Sequence, residues 1–463
     1  MLLPMSPADS LFLMAETREH PMHVGGLQLF VPPDGADAND VRQIFQQMIS
    51  VDEIRPLFQR RARRSVTSLG LWGWEQDSDF DIEHHVRHMA LPRPGRVLEL
   101  LAQCSRLHSN LLDRHRPLWE ASLIEGLADG RFAMYLKMHH AVVDGVSALR
   151  LLQSGLSEDP DQRDMPPPWA LQPQPDRQPS RPHRDQADVF NGAMRSALTM
   201  LGEAAGLPSA LIKTVNRGIH EQAAPLSFSA PKTMLNVPIT GARRFAAQSW
   251  SIDRIRRVGK AGDATVNDVV LAMCSGALRS YLVGLDALPD SPLIAMVPVS
   301  LHVDDHHREG GNAIGVVMCN LGTHLADPAQ RLAAISASMS DGKAAMAGMS
   351  AVQIMAMSAL GVSPLALASL LGPRNMLRPP FNLVISNVPG PRSPLYYNGA
   401  RLDGLYPLSI PVEGQALNIT CTSYSDELAF GLTGCRRSVP HLQRLLGHLD
   451  DELNHLESAV GVA

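Results

Sequence analysis

A histidine pair, His139 and His140, stands where an apolar segment ends and a turn begins. The preceding residues, Arg131–Met138 (RFAMYLKM), have the composition of a buried strand, and the turn after the pair ends with Asp144 and Gly145. Imidazole is the one side chain that gives and takes a proton near neutral pH without help from its surroundings. The pattern therefore predicts acid–base chemistry at this turn.

Adjacent side chains of a strand point to opposite faces of the sheet, so only one of the two histidines can face a given cavity. We assign that position to His140, which would take a proton from an alcohol or amine that attacks an acyl carbon. Asp144 is expected to orient the loop rather than to polarise the imidazole, and Gly145 to permit a tight turn. The alternative is a hydrogen-bonded core histidine without a catalytic role.

Two groups of side chains have the composition of a metal site. The first is the histidine pair with Asp144, and the second comprises Asp81, His84, His85 and His88. Adjacent histidines diverge from a strand and rarely bind one ion, and spacing places no third soft ligand beside them. The second group is expected to form the polar face of an amphipathic strand. We therefore predict no metal site.

Composition and missing motifs exclude several classes of protein. The 463 residues are too many for one core, and the net charge of -5 gives no reason to expect nucleic acid. Five scattered cysteines argue against a disulfide framework, and the first ten residues do not resemble a secretion signal. Ser147 lies in GVSAL, which does not suit the nucleophile elbow of a serine hydrolase. A P-loop and a GxGxxG motif are both absent, which argues against nucleotide-driven and hydride-transfer chemistry.

Strand and helix patterns alternate in both halves of the chain, which predicts an α/β class with two lobes. Residues 1–157 would form an N-terminal lobe that carries the histidine pair, residues 158–243 a Pro-rich linker with connecting helices, and residues 244–463 a C-terminal lobe. Eight prolines lie between Glu158 and His183, a density that excludes helix and ladder pairing.

Hydrophobic periodicity and cap residues place the individual elements. Helices are predicted after Ser6, with Asp9 in the first turn, and at Asn39–Val51 (capped by Asn39 or Asp40), Val97–Arg114, Val146–Leu152, Asp188–Leu201, Pro208–Ile219, Thr265–Leu282 and Pro440–Leu456. Strands are predicted at Gly25–Pro32, Asp79–Met89, Trp119–Ile124, Leu293–Val299, Ala313–Leu321, Phe381–Asn387, Leu417–Ser423 and Leu428–Thr433.

Two further segments allow more than one interpretation. Ala344–Pro373 carries no charge and is long enough to span a bilayer, but its Ala, Ser and Gly content favours a pair of buried or lipid-facing helices. The arginine run in Pro56–Arg64 (PLFQRRARR) predicts a solvated basic edge, with attraction of a phosphate-bearing carrier or an anionic lipid surface as the alternative.

The residues from His139 to Gly145 match the HHxxxDG motif of the coenzyme A-dependent acyltransferases, the superfamily of chloramphenicol acetyltransferase and of peptide-synthetase condensation domains. Within it, the chain resembles the bacterial wax ester synthase/acyl-CoA:diacylglycerol acyltransferase family. Four further stretches carry the resemblance: SPADSLFLMAETREHPMHVGGLQLF from Ser6, RPLWE around Trp119, VNDVV around Asn267, and SNVPGP from Ser386.

The resemblance implies an α/β, two-lobed chloramphenicol acetyltransferase-like fold with the active site in a tunnel between the lobes. Acyl-CoA would enter from one end and a lipid alcohol from the other, to meet at His140. The implied activity is that of an O-acyltransferase, which moves a fatty acyl group from acyl-CoA to a long-chain alcohol or diacylglycerol. The product would be a wax ester or triacylglycerol, with His140 as general base and no covalent acyl-enzyme.

The resemblance also implies roles for the motif residues. The catalytic set would comprise His140, His139, Asp144 and Asn267, where Asp144 ties the loop down and Asn267 serves as an oxyanion donor or an orienting partner. Structural roles are implied for Gly145, Pro117, Leu118, Trp119, Asp268, Asn387, Pro389 and Gly390. Acyl-CoA would be a co-substrate, and no cofactor is expected because a thioester is already activated.

Partners and location follow from the water-insoluble substrates. We expect a cytoplasmic protein in peripheral contact with the inner membrane or with lipid inclusions, and a homodimer is left open. One alternative is a condensation-type acyltransferase that uses carrier-bound thioesters, although no carrier domain is attached. Another is a catalytically silent lipid-binding protein, against which the intact motif residues argue.

Overall fold

A computed structural model describes residues 3–64, 72–171, 230–302, 312–347 and 379–462. Within these ranges the chain forms two six-stranded sheets, one three-stranded sheet and the helices around them. The mixture of sheets and helices in both halves confirms the predicted α/β class.

The helices of the described residues are α1 (Pro7–Ala15), α2 (Ala38–Ile49), α3 (Pro56–Gln59), α4 (Ile82–His85), α5 (Val97–Ser109), α6 (Gly145–Ser154), α7 (Ile252–Ala261), α8 (Val266–Val283), α9 (Pro328–Met346) and α10 (Arg444–Ala459). The strands are β1 (Leu3–Pro4), β2 (His23–Val31), β3 (Arg60–Arg64), β4 (Trp72–Gln76), β5 (Val86–Ala90), β6 (Trp119–Glu125), β7 (Phe132–His139), β8 (Arg243–Ser251), β9 (Ile294–His302), β10 (Asn312–Asn320), β11 (Leu383–Val388), β12 (Tyr396–Tyr397), β13 (Ala400–Leu408), β14 (Leu417–Tyr424) and β15 (Glu427–Cys435).

The first six-stranded sheet carries the histidine pair at the end of its interior strand β7. This strand pairs antiparallel with β2 and β6, and His139 lies opposite His23 in the register. On one side the sheet ends with β5, and on the other side β13 and β12 follow β2. All eight residues of β7 are buried, which explains why the strand has apolar side chains on both of its faces.

Strand β13 belongs to the C-terminal half of the sequence but extends the sheet of the N-terminal half. It pairs antiparallel with β2. No strand is predicted there, because Asp403, Gly404 and Pro407 interrupt a strand pattern. The division of the chain at residues 157 and 244 stays a prediction, and the first sheet shows that β12 and β13 of the C-terminal half cross that division.

The second six-stranded sheet has the order β10, β9, β11, β14, β15 and β8. Strand β11 pairs parallel with β9 and β14, and the other neighbours are antiparallel. Its apolar core includes Val269 of α8, Ile335 of α9 and Leu453 of α10. A buried ion pair between Arg331 and Glu452 joins α9 to α10.

Helix α5 of the first lobe packs against β8, the edge strand of the second sheet. The backbone N–H of Phe245 donates to Ser105 Oγ at 2.9 Å, and that of Arg243 donates to Ser109 Oγ at 2.8 Å. An edge strand otherwise leaves its N–H groups unpaired. Two serines one helical turn apart therefore satisfy this edge and fix one lobe on the other.

Cap residues account for one correct and one incorrect helix boundary. As predicted, α1 begins after Ser6, whose Oγ accepts a hydrogen bond from Asp9 N–H at 3.0 Å. The predicted cap of α2 at Asn39 or Asp40 is wrong, because Asp37 is the cap and Asp40 accepts from its backbone N–H at 2.6 Å. The extended backbone of Asp37 makes it the last non-helical residue.

The predicted strand Asp79–Met89 is wrong in its first half, where α4 forms a helical turn before β5. Asp81 caps this turn by accepting from Glu83 N–H at 3.0 Å. The turn allows the buried ring of His85 to stack between Phe80 and Trp119, at centroid distances of 5.2 Å and 4.6 Å. A tertiary contact therefore overrides the alternating pattern of the sequence.

Several predictions lie outside the described residues. They include the helices at Asp188–Leu201 and Pro208–Ile219, most of the Pro-rich linker, and all but the first residues of the uncharged segment Ala344–Pro373. Among the residues that the structure describes, no helix combines the length and apolar content that a bilayer span requires.

Candidate active site

Two backbone hydrogen bonds hold the end of β7 in place. The N–H of His139 donates to Leu118 O at 3.0 Å, and the N–H of His140 donates to Met22 O at 2.8 Å. Leu118 precedes β6 and Met22 precedes β2, the two neighbours of β7 in the sheet. The histidine pair therefore sits on a rigid part of the sheet rather than on a free loop.

His140 is half-buried at the start of the turn. Its ring stacks on Phe12 of α1, with the ring centroids 4.1 Å apart and an interplanar angle of 25°. Burial lowers the pKa of His140 to about 4; His139 adds to the shift, and the Asp144 carboxylate opposes it. At neutral pH the imidazole is therefore uncharged and has a lone pair that can accept a proton.

His139 faces the opposite way and is fully buried. Its Nδ1 accepts a hydrogen bond from the Ala141 N–H at 3.0 Å, and its Nε2 lies 3.4 Å from Glu16 Oε1. The two rings thus have separate surroundings, as strand geometry requires. Of the pair, only His140 has a partly exposed side chain.

Asp144 is exposed and caps α6, where its Oδ1 accepts from Ser147 N–H at 2.7 Å. The expected loop-orienting role of Asp144 has a physical basis in this cap. Gly145 is the first residue of α6, and its φ lies outside the left-handed region. A Cβ at Gly145 would have no heavy atom within 4 Å, so the turn does not require glycine, and the predicted reason for its presence is wrong.

The segment Pro117–Trp119 packs beside the histidine pair. Leu118 is buried in the same apolar cluster as Ala141, directly after the pair. The indole N–H of Trp119 donates to Phe58 O at 2.8 Å, and its ring stacks on Trp169 at 5.3 Å. Pro117 O accepts from the Trp119 N–H at 2.9 Å, which turns the chain into β6.

The second histidine group is dispersed among other contacts. His85 Nδ1 lies 2.8 Å from Trp119 O, and burial lowers the pKa of His85 to about 4. His88 stacks on Phe45 at 4.8 Å and lies 3.4 Å from Glu125. Within the described ranges, no three His, Cys, Asp or Glu side chains are arranged to hold a metal ion. The predicted lack of a metal stays a prediction.

The arginine run forms the edge of the small sheet β1–β4–β3. Arg61 and Arg63 both pair with Glu75, at 3.1 Å and 2.5 Å. The other two arginines of β3 each lie over a tryptophan ring of β4, with 4.6 Å and 4.5 Å to the ring centres. These contacts within the sheet favour a structural basic edge over a phosphate site.

The Asn-Asp motif lies in the first turn of α8, and its two residues differ in their surroundings. Asp268 forms a capping box with Thr265, in which Asp268 Oδ2 accepts from the Thr265 N–H at 3.0 Å and Thr265 Oγ1 accepts from the Asp268 N–H at 3.2 Å. Asn267 is half-buried, and its side chain forms no hydrogen bond to the described residues. The structure thus assigns a cap to Asp268 and leaves the amide of Asn267 available.

The Ser-Asn-Val-Pro-Gly-Pro motif begins in β11 and ends in a tight turn against β14. Asn387 is half-buried opposite Cys421, and Pro389 is exposed. Gly390 N–H donates to Ser423 Oγ at 2.9 Å, and a Cβ at Gly390 would lie 1.9 Å from Ser423 O. This turn therefore requires glycine because a side chain would collide with backbone.

The turn of the HHxxxDG motif and the turn of the SNVPGP motif pack against the same apolar cluster. Val388 of the Asn387 turn and Val142 of the histidine turn both pack against the cluster that contains Leu152 and Tyr424. Sequence reasoning missed three site residues: Phe12 against His140, Glu16 beside His139, and Met22, which accepts from His140. They lie in one segment of the resemblance, but nothing in their spacing indicates which histidine each would contact.

Comparison with known proteins relates the chain to one family over nearly its whole length. The sequence profile of the wax ester synthase/diacylglycerol acyltransferase catalytic domain matches residues 5–270, and that of the family's C-terminal domain matches residues 310–457. A probable diacylglycerol O-acyltransferase of Mycobacterium tuberculosis is 52% identical over 458 residues, which cover 99% of both chains.

Solved structures agree with this relationship. The wax ester synthase/diacylglycerol acyltransferase from Marinobacter aquaeolei VT8 is 43% identical with a TM-score of 0.78, covering 99% of this chain and 100% of its own. The first condensation domain of the calcium-dependent antibiotic synthetase is 16% identical with a TM-score of 0.57, covering 99% and 96%. The second likeness concerns the fold alone and, with the first, confirms the predicted two-lobed fold class. The tunnel stays a prediction.

The Gly390 turn yields a stability test. Gly390→Ala is expected to lower the free energy of unfolding by about 2 kcal/mol, because the new methyl group must displace the backbone of Ser423. Gly145→Ala, which meets open space, should change it by less than about 0.5 kcal/mol. Urea unfolding of both variants decides the matter, and equal losses would contradict the steric argument.

Proposed function

Since the chain belongs to the wax ester synthase/diacylglycerol acyltransferase family, we propose that it transfers a fatty acyl group from acyl-CoA to a long-chain alcohol or a diacylglycerol. The products would be a wax ester or a triacylglycerol. The observation that carries this proposal is His140, an uncharged and half-buried imidazole at a rigid strand end in the family's catalytic domain.

In the proposed reaction His140 is the general base. The neutral imidazole takes the hydroxyl proton of the acceptor while the hydroxyl oxygen attacks the carbonyl carbon of the thioester. The tetrahedral intermediate collapses as the carbon–sulfur bond breaks, and the coenzyme A thiolate takes the proton from the imidazolium. The acceptor is itself the nucleophile, so the reaction needs no acyl-enzyme, and the thioester is activated, so it needs no cofactor.

We assign the oxyanion donor to Asn267. Its amide is free of the capping contacts that occupy Asp268, and it lies in the first turn of α8, where the helix dipole favours negative charge. Removal of one oxyanion donor typically lowers kcat by about 10²–10³-fold. This assignment makes Asn267 a catalytic residue and Asp268 a structural one.

Acyl transfer is tested with radiolabelled acyl-CoA, offered with hexadecanol and with diacylglycerol. His140→Ala should lower ester formation by about 10²–10⁴-fold, because the general base is lost. His324→Ala, which removes an exposed histidine outside the site, should retain the activity. Transfer to amines or carrier-linked acceptors alone, or lipid binding without turnover by the unaltered protein, would contradict the proposal.

The pH dependence follows from the low pKa of His140. The base works when it is neutral, so kcat/KM should hold level as the pH falls from about 7.5 to about 5.5, whereas an ordinary histidine would give an acid limb near about 6.5. The limb should lie near the pKa of about 4. Asp144→Asn should move it to still lower pH, because the Asp144 carboxylate raises the pKa of His140.

As a control, tryptophan fluorescence is measured at each pH to show that the protein stays folded. An asparagine at position 144 can still cap α6 with its amide oxygen, so the change tests the charge rather than the loop. An acid limb near pH 6.5 in a protein that stays folded would contradict the assignment of a neutral, desolvated base.

We further propose peripheral contact of a cytoplasmic protein with a lipid surface, either the inner membrane or a lipid inclusion. The support is an exposed apolar surface formed by Leu3 of β1 and by Leu11 and Met14 of α1, which are 55%, 50% and 61% exposed. The neighbouring Phe12 stacks on His140, so this surface adjoins the site that a water-insoluble acceptor must reach. A homodimer stays a prediction.

Sedimentation with vesicles of phosphatidylcholine and phosphatidylglycerol tests the lipid contact. The double change Leu11→Gln and Met14→Gln should weaken the free energy of binding to vesicles by roughly 1–2 kcal/mol, since buried apolar area drives such contacts. The bound fraction should then fall several-fold. Leu98→Gln is the matched control, because Leu98 is 52% exposed on α5. Equal loss in both variants would exclude α1 as the contact surface.

A further inference from the structure

We propose that Glu16 is a positioning residue for acyl transfer, because its buried carboxylate holds both His139 and the backbone segment that anchors His140. The inference deepens the proposed function, since it concerns the geometry of the same general base. Glu16 does not contact His140 and is not assigned a chemical step. It acts through two of its neighbours, His139 and Met22.

Glu16 stands directly after α1 and is only 6% exposed. Its Oε2 accepts two hydrogen bonds from Arg114, at 3.0 Å from Nε and 2.9 Å from Nη2. Its Oε1 faces the Met22 N–H at 3.3 Å and His139 Nε2 at 3.4 Å. Burial raises the pKa of Glu16, but the contacts with His139, Arg114 and Met22 outweigh it and lower the pKa, so the carboxylate is ionised at neutral pH.

The hydrogen bond at Nδ1 of His139 determines where the ring proton lies. Nδ1 accepts from the Ala141 N–H, so it carries no proton, and the ring proton must lie on Nε2. The Nε2 atom lies 3.4 Å from Glu16 Oε1, close enough for an electrostatic contact with the carboxylate. His139 thus has a hydrogen bond at Nδ1 and an electrostatic contact at Nε2, and it shares its backbone with His140.

A second path from Glu16 reaches His140 through Met22. The Met22 N–H donates to the Glu16 carboxylate, and Met22 O accepts from the His140 N–H at 2.8 Å. Removal of the Glu16 carboxylate would therefore release the backbone N–H of Met22, the residue whose carbonyl oxygen holds His140. Both paths converge on the turn that starts at His139 and His140.

The segment between Glu16 and Met22 is also fastened to the second lobe. Glu19 O accepts from Arg243 Nη2 at 3.1 Å, and His20 pairs with Glu413. A Cβ at Gly241 would lie 2.2 Å from Arg18 O, so the two backbones touch there. Glu16 thus connects the histidine pair to a segment that contacts both lobes. Such a connection would keep the position of His140 constant in a site between the lobes.

Three variants separate positioning from simple stability. In Glu16→Leu the apolar side chain can neither accept from the Met22 N–H nor attract His139 Nε2, whereas in Glu16→Gln the amide oxygen can still do both. Arg114→Gln breaks the ion pair but leaves the carboxylate beside His139. For each variant we would measure kcat, the KM for acyl-CoA, the urea unfolding midpoint and the hydrogen exchange of the Met22 and His140 amides.

We expect Glu16→Leu to lower kcat by about 10²-fold with the KM for acyl-CoA changed by less than about twofold, since a small misplacement of a catalytic group costs about that much. Glu16→Gln should recover at least about tenfold of this loss. Arg114→Gln should lower the unfolding midpoint while it keeps most of kcat. The exchange of the Met22 and His140 amides should quicken most in Glu16→Leu.

Two results would overturn the inference. One is a kcat of Glu16→Leu within about twofold of the unaltered protein. The other is a loss of kcat in Arg114→Gln as large as the loss in Glu16→Leu, when the two variants have the same unfolding midpoint. This result would show that the ion pair between Glu16 and Arg114 has only a structural role. If the unaltered protein transfers no acyl group to any acceptor, the proposed function fails, but the exchange of the Met22 and His140 amides still tests whether Glu16 holds this turn.

Discussion

Two backbone hydrogen bonds, His139 to Leu118 and His140 to Met22, fix the end of β7, and the proposed active site depends on them. Each bond ties one histidine to a different neighbouring strand of the sheet. The side chains then diverge by strand geometry, one into the core and one toward the turn. A loop could present the same residues, but it would not hold an imidazole to the accuracy that proton transfer requires.

Burial lowers the pKa of several histidines of this protein, but these histidines have different surroundings. Burial lowers the pKa of His108 to about 3, and its Nδ1 and Nε2 lie 2.8 Å from Tyr135 Oη and 3.3 Å from Ser409 O. His85 Nδ1 lies 2.8 Å from Trp119 O, and its ring stacks on the indole. These two rings are neutral because burial disfavours the charged imidazolium and lowers the pKa of both. His140 is different, since its ring is neutral and the residue is still partly exposed.

The two lobes are joined by more than a linker. Strand β13 pairs with β2 of the first sheet, and Ser105 and Ser109 of α5 satisfy the edge of β8 in the second. The segment between Glu16 and Met22 is bound to Arg243 and Glu413 of the second lobe. A site between such lobes keeps its geometry because three sets of contacts, each made between residues that are distant in the sequence, fix the same relative position.

The amino-acid sequence by itself determined the local features: the cap at Ser6, the helix that follows Thr265, the buried strand β7, the HHxxxDG motif and, through the motifs together, the family. These signals lie within a few residues of one another, where periodicity and capping act. Only the tertiary structure decided that Phe12 stacks on His140, that Glu16 faces His139, that β13 joins the first sheet and that His85 lies on Trp119. Such partners are distant in the chain, and nothing in local periodicity records which distant side chains will share a face once the sheets have formed.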